Sequence, residues 1–168
     1  MTNKEIKIAY QEFESLSELE PKDRELAQAS IDATAQAYAP YSKFNVGAAV
    51  HFEDGVIVKG ANQENAAYPS GLCAERTALF YASASRPDKA MTAIAIAAGQ
   101  NGQLLEMPAT LNKMADVLTR VNGNSQMASQ CTDQLKSGLP MKVLLVGAHK
   151  IWKFEKIDDL LPLIFDSI

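Results

Sequence analysis

The sequence predicts an α/β fold, a sheet covered by helices on both faces, and three observations predict it. Met91 to Ala98 and Met141 to Gly147 are continuous apolar runs of the kind found in strands buried on both sides. Phe44 to Phe52 and Val56 to Gly60 flank the turn residues Glu53-Asp54-Gly55 and read as a hairpin. Residues 22–37 and Cys73 to about Ser83 carry apolar side chains at helical spacing. Hairpin, helix, strand, helix, strand is the succession of a layered α/β domain.

In chain order, Ile6 to Phe13 alternates roughly at period two and is expected as an edge strand. The helix over 22–37 gathers Leu26, Ala29, Ile31, Ala33, Ala35 and Ala37, and Pro40 ends it. After the hairpin, the helix from Cys73 offers Ala74, Leu79, Phe80 and Ala82 to a core. The stretch from 111 to 139 reads as a helix over 112–121, a turn at Asn122-Gly123-Asn124 and a second short helix. Ile151 to Phe154 makes one more strand, and Asp158 to Ile164 a short terminal helix.

No linker, repeat or low-complexity tract divides the 168 residues, so residues 1–168 are taken as one domain. Sixteen basic against twenty acidic residues give a formal charge of −4. That balance argues against a nucleic-acid partner bound through a broad basic surface. No apolar run reaches the roughly 20 residues of a membrane span, so no membrane partner is expected. The N-terminus has neither a secretory apolar region nor an Arg-rich transit pattern, and the expected location is cytoplasmic. Two cysteines, Cys73 and Cys131, cannot make a disulfide framework.

The chemistry is concentrated between Tyr38 and Thr77. Cys73-Ala74-Glu75 sets a thiol and a carboxylate two residues apart at a helix start. A helix N-terminus favours negative charge, lowers a thiol's pKa and helps present a thiolate to a metal. A carboxylate beside a metal-bound water can carry its proton to a leaving group. Taken alone, Cys73 is equally a small buried residue and Glu75 an ordinary acid at a helix start.

Three blocks lie in order: Tyr38-Ala39-Pro40-Tyr41-Ser42-Lys43-Phe44-Asn45-Val46-Gly47-Ala48-Ala49, Asn62-Gln63-Glu64-Asn65-Ala66-Ala67-Tyr68, and Pro69-Ser70-Gly71-Leu72-Cys73-Ala74-Glu75-Arg76-Thr77. Together they closely resemble the small homo-oligomeric cytidine deaminases. The resemblance implies a three-layer sandwich with a central mixed sheet, and hydrolytic deamination of cytidine and deoxycytidine to their uridine counterparts in pyrimidine salvage. It implies zinc as cofactor, Cys73 as the first zinc ligand, and Glu75 as the catalytic proton shuttle rather than a ligand. Arg76 matches the arginine that hydrogen-bonds the zinc thiolates. Asn62 and Glu64 match side chains that hold the ribose hydroxyls, Phe44 an aromatic beside the nucleoside, and Ala74 a further substrate contact. Side chains at i and i+2 of an extended segment share a face, which suits a diol. The tail Leu160-Leu161-Pro162-Leu163-Ile164-Phe165 resembles a motif whose phenylalanine reaches a neighbouring subunit's site. A homotetramer follows, with Phe165 supplied from the neighbour.

One departure stands out. A three-cysteine deaminase needs a second motif, Pro-Cys-x-x-Cys, after the Met91 strand. Without a gap, the two cysteine positions fall on Asn112 and Ala115. A later alignment at Met127 to Cys131 recovers one cysteine only. The two histidines, His51 and His149, are expected on a sheet surface and in a turn. Zinc lowers the pKa of bound water by roughly 9 units, which is worth about 12 kcal/mol in forming hydroxide. A lone glutamate supplies about 10² to 10⁴ in rate and cannot offset that. Three readings follow. The chain is a nucleoside-binding or scaffold protein with little or no turnover and with zinc absent or weakly held. Or it holds zinc unconventionally through Cys73, Cys131 and an oxygen of Asp116 or Asp133. Or 111–139 is an altered segment in an ordinary deaminase.

Overall fold

The computed structural model describes residues 9–106 and 141–156. Its elements are β1 (Gln11–Phe13), α1 (Pro21–Ala33), β2 (Phe44–Phe52), β3 (Ile57–Ala61), α2 (Ala74–Ser85), β4 (Met91–Gln100), β5 (Gln103–Leu104), β6 (Lys142–Val146) and β7 (Ile151–Phe154). The strands form one sheet in the order β1-β7-β6-β4-β2-β3, with β5 paired to β4. β4 and β6 run parallel and the other pairs antiparallel, so the sheet is mixed.

Alternation along the strands sends two apolar sets to opposite faces. Ala49, Ala93, Ala95, Ala97, Leu144 and Val146 pack with Leu26 and Ala27 of α1. Ala48, Val50, Phe52, Ile94, Ile96, Val143 and Leu145 pack with Ala74, Ala78, Leu79 and Ala82 of α2. One helix therefore covers each face, and the expected three layers are present. The α1 side of β4 is all alanine. A Cβ at Gly47 would lie 2.2 Å from the Ser30 carbonyl, so α1 approaches β2 at backbone distance.

Most boundaries follow the sequence reading closely. The helix expected over 22–37 is α1 followed by a 3₁₀ turn, Thr34–Gln36, ahead of Pro40. The hairpin closes through Gly55, whose φ of +87° suits a residue without Cβ. Of the N-terminal alternation, Gln11–Phe13 is a strand and lies at the sheet edge, as expected. The short strand β5 was not anticipated. Its turn is Asn101-Gly102, both at positive φ, which is the strongest two-residue hairpin signal a sequence offers. The helices expected within 111–139 and over Asp158 to Ile164 lie outside the described residues, as do Ile6 to Ile8.

The start of α1 is tied to the far side of the sheet by charge. Asp23 has a side chain only 5% exposed, with Lys142 Nζ of β6 at 2.7 Å and Lys153 Nζ of β7 at 3.0 Å. Burial pushes its carboxyl up, but the two lysines outweigh burial and hold it below the usual carboxylate range. A depressed folded pKa contributes stability above the unfolded value near 3.9, and that stability is lost as pH falls through the lower folded value. Asp23→Asn should therefore lower unfolding free energy by about 1–3 kcal/mol at pH 7. In urea titrations the difference from the parent chain should narrow below about pH 4; a difference constant down to pH 2 would contradict the ion-pair account.

Candidate functional site

The segment leaving β3 is woven between two neighbours. Asn62 N–H donates to Val46 O at 3.1 Å, and Tyr38 N–H to Asn62 O at 2.9 Å. Glu64 N–H donates to Tyr38 O at 2.8 Å, while Gln63 and Leu72 exchange two bonds at 2.8 and 2.9 Å. Residues 62–64 thus act as a short extra strand between the loop before β2 and the approach to α2.

Their side chains fasten that first loop. Asn62 Oδ1 accepts from Val46 N–H at 2.8 Å, and Asn62 Nδ2 donates to Phe44 O at 2.9 Å. Glu64 Oε2 accepts from Tyr41 N–H at 2.9 Å and Ser42 N–H at 3.2 Å. The Ser42 hydroxyl is the largest influence holding the Glu64 carboxyl below its ordinary range, ahead of burial, which raises it, and of the two backbone donors. Asn62 and Glu64 share a face, as their spacing predicts, and both turn toward residues 41–46. Phe44, half-buried at the start of β2, is held in this clamp.

Cys73 is the N-cap of α2, and Thr77 N–H and Oγ1 both donate to its carbonyl at 3.0 Å. Ala74 is fully buried and Glu75 is 8% exposed. Burial, then the charge of Glu75, push the Cys73 thiol up to about 12. Burial likewise raises the Glu75 carboxyl, opposed by a backbone N–H and by the Cys73 thiol. Glu75 Oε2 and Arg76 Nε are buried without a hydrogen-bond partner among the described residues. The Arg76 guanidinium lies 5.4 Å from the centre of the Phe80 ring, a cation–π distance.

Cys73 and Glu75 fit one half of a metal site: a buried carboxylate oxygen without a partner among the described residues beside a thiol whose ionisation burial opposes and a nearby cation would favour. Among the described residues, no three His, Cys, Asp or Glu side chains converge on a metal position. His51 lies against the start of α1, on the opposite face of the sheet from α2. It is half-buried on that sheet face, with its Nδ1 3.1 Å from Thr92 Oγ1. His149 sits in the β6–β7 connection, as expected, 3.4 Å from Glu106. Cys131 and Phe165 lie outside the described residues. The sequence reading had no signal for Ser42 as a partner of Glu64, because hydrogen bonding across 22 residues leaves no local pattern.

A family model described as "Cytidine and deoxycytidylate deaminase zinc-binding region" matches residues 1–110. A cytidine deaminase of Halalkalibacterium halodurans is 51% identical over 74 residues, which is 44% of this chain and 54% of that protein. One from Sporosarcina psychrophila is 51% identical over 73 residues, 44% of this chain and 53% of that protein. The chain spans about half the length of these two relatives. Among solved structures, the cytidine deaminase of Mycobacterium tuberculosis superposes with a TM-score of 0.54 at 28% identity, covering 85% of this chain and 96% of that one.

The seat of α2 depends on Gly60. A Cβ there would lie 2.4 Å from Ala78 N and 2.7 Å from Ala78 Cα, backbone atoms that cannot yield cheaply. Gly60→Ala should cost about 1–3 kcal/mol in urea unfolding. Gly71→Ala, whose Cβ would stand 3.3 Å from its nearest neighbour, should cost clearly less. Equal losses would show that Gly60 has no special place in the packing.

Proposed function

The chain belongs to the cytidine and deoxycytidylate deaminase family, and from that premise we propose that it binds a pyrimidine nucleoside beside α2 while holding an incomplete zinc centre, with deaminase turnover impaired or lost. The observation that carries this reading is the supply of metal-binding side chains. The whole sequence has two cysteines and two histidines. His51 bonds Thr92 and His149 stands 3.4 Å from Glu106, and among the described residues neither completes a group of three with Cys73, which leaves Cys131 as the remaining soft ligand in the sequence. A catalytic zinc takes three protein ligands and one open position. The donor set does not fit it.

The nucleoside half stands apart from that deficit. Phe44, Asn62, Glu64, Ala74 and Glu75 are positioned by β2, β3 and α2, and the hydrogen bonds of the clamp around Asn62 and Glu64 are made among residues 38–72. In this reading Glu64 and Asn62 read the sugar hydroxyls and Phe44 packs beside the nucleoside. Arg76 steadies the thiolate end, and Glu75 faces the base as the group able to hold a proton. A few hydrogen bonds and one aromatic contact support affinity in the micromolar to millimolar range. The place of such a protein is cytoplasmic pyrimidine metabolism, without nucleic-acid or membrane partners; no helix among the described residues is long and apolar enough to cross a membrane.

Elemental analysis after chelator-free purification, paired with an ultraviolet cytidine assay and calorimetry, tests this directly. Expected are clearly less than one zinc per chain, no ordinary turnover, and measurable heat with cytidine. Stoichiometric zinc with turnover near about one per second, well within the enzyme range, would overturn the incomplete centre and point to Cys131 with Asp116 or Asp133. Absence of binding at millimolar nucleoside would leave a scaffold role.

We also assign the chain to a homotetramer whose sites are completed by Phe165 of a neighbour. Tyr38 and Tyr41, on the loop before β2, are 57% and 63% exposed, which is apolar surface beside the site suited to burial between subunits. Light scattering at micromolar concentration should return four times the chain mass; a monomer would remove this assignment.

A further inference from the structure

The β7 end of the sheet carries a set of fastenings that the nucleoside site does not use. β1 is three residues long and pairs antiparallel with β7, Glu12 opposite Trp152 and Phe13 opposite Ile151. Trp152 Nε1–H donates to Glu12 Oε2 at 2.8 Å, and Lys150 Nζ donates to Glu12 Oε1 at 2.6 Å. The Tyr10 ring roofs the same side, its centre 4.7 Å from that of Trp152 and 5.6 Å from that of Phe154. Behind the strand, the chain is fastened separately. The Arg24 guanidinium of α1 donates to Leu16 O at 3.0 Å, Ser17 O at 2.9 Å and Leu19 O at 3.0 Å, and Leu19 is buried. Releasing Glu12 would therefore free β1 at Glu14 and Ser15 while the turn and α1 stay in place.

We propose that β7 is an association edge for a second copy of this chain, and that β1, locked by Glu12 across Lys150 and Trp152, is the strand that keeps it closed. A strand whose outer backbone groups are unpaired is a template for another strand. Without β1, β7 presents such an edge, with Trp152 toward the α2 side of the sheet and Lys153, paired with Asp23, toward the α1 side. The same edge on a second copy is complementary to it. Two β7 strands running antiparallel about Trp152 set Trp152 against Trp152 and Ile151 against Lys153. Like faces of the two sheets then match, and no like charges meet. β1 itself is short and acidic, with Glu12 at its centre and Glu14 just beyond its end, which makes it a poor template for continuing the sheet.

Trp152 is the sole tryptophan, so its fluorescence reads the lock directly. The test compares the full parent chain with Glu12→Lys, which turns attraction for Lys150 into repulsion and removes the acceptor for Trp152. Acrylamide quenching of Trp152 should rise about twofold as β1 leaves, and light scattering should show an assembly of about twice the parent's mass that reverses on dilution. Adding Lys150→Glu, which rebuilds the ion pair with its signs exchanged, should return both readings toward the parent. Adding Trp152→Lys instead sets two ammonium groups opposite each other and should abolish the doubling. Should Glu12→Lys fail to fold, Glu12→Ala carries the same comparison. Unchanged quenching overturns the lock. Quenching that rises with no change of mass overturns the association edge, and a doubling that survives Trp152→Lys overturns pairing through β7.

Discussion

The contact between α2 and β3 at Gly60 is the constraint on which the site depends. There the helix backbone at Ala78 meets the strand backbone with no side chain between them. One turn earlier in the same helix stand Cys73, Ala74 and Glu75, so the depth at which α2 seats sets the depth at which thiol and carboxylate sit. Ala74, Ala78 and Ala82 line the same face and let that close approach continue along the helix. Glu75 is buried as a consequence of this packing rather than of any partner that would welcome its charge. The desolvation that raises both Glu75 and Cys73 is thus produced by the scaffold.

The second organising feature is the clamp between residues 62–64 and 38–46. Asn62 supplies both halves of its amide to the main chain of β2, joining Phe44 O and Val46 N–H as a strand neighbour would. Glu64 does the same for two N–H groups that the turn at Pro40 leaves without a helical or sheet partner. Side chains that satisfy backbone groups are themselves held still, which is a requirement for recognising a small polar ligand with few contacts. A sugar hydroxyl meeting Glu64 would join a network already oriented. Meeting Asn62, it would have to share an amide already bonded on both sides.

The legible and illegible parts of the molecule divide along physical lines. Patterns with a short period were readable: the continuous apolar run of β4, the Asp54-Gly55 turn and the apolar face of α2. So was the adjacency of Cys73 and Glu75, because the first turn of a helix holds residues two apart close to its N-terminus. The spacing of Asn62 and Glu64 correctly gave a shared face. It could not say that the face looks onto main-chain groups of residues 41–46, since those partners come from across the sheet. His51 lies on a face of the sheet, as expected, half-buried and hydrogen-bonded to Thr92, a partner 41 residues away that no local pattern announces. The strand β5 was overlooked although Asn101-Gly102 announces it, because two residues carry no periodicity.

These two features explain how binding and metal chemistry can separate in one chain. The clamp is made by residues 38–72, and α2 seats on β3 through Gly60 and on β4 and β6 through Ile94, Ile96, Val143 and Leu145. Their stability comes from alternating burial on a mixed sheet and from backbone pairing, interactions indifferent to whether a cation is held nearby. A zinc centre is the opposite case. It needs ligands brought from separate segments to one point, and removing one contributor forfeits the geometry for all. In the proposed reading, a missing ligand would therefore strike the metal centre first and the wall of residues 41–64 last. In the proposed reading the scaffold keeps Glu75 Oε2 buried beside Cys73 with no hydrogen-bond partner among the described residues.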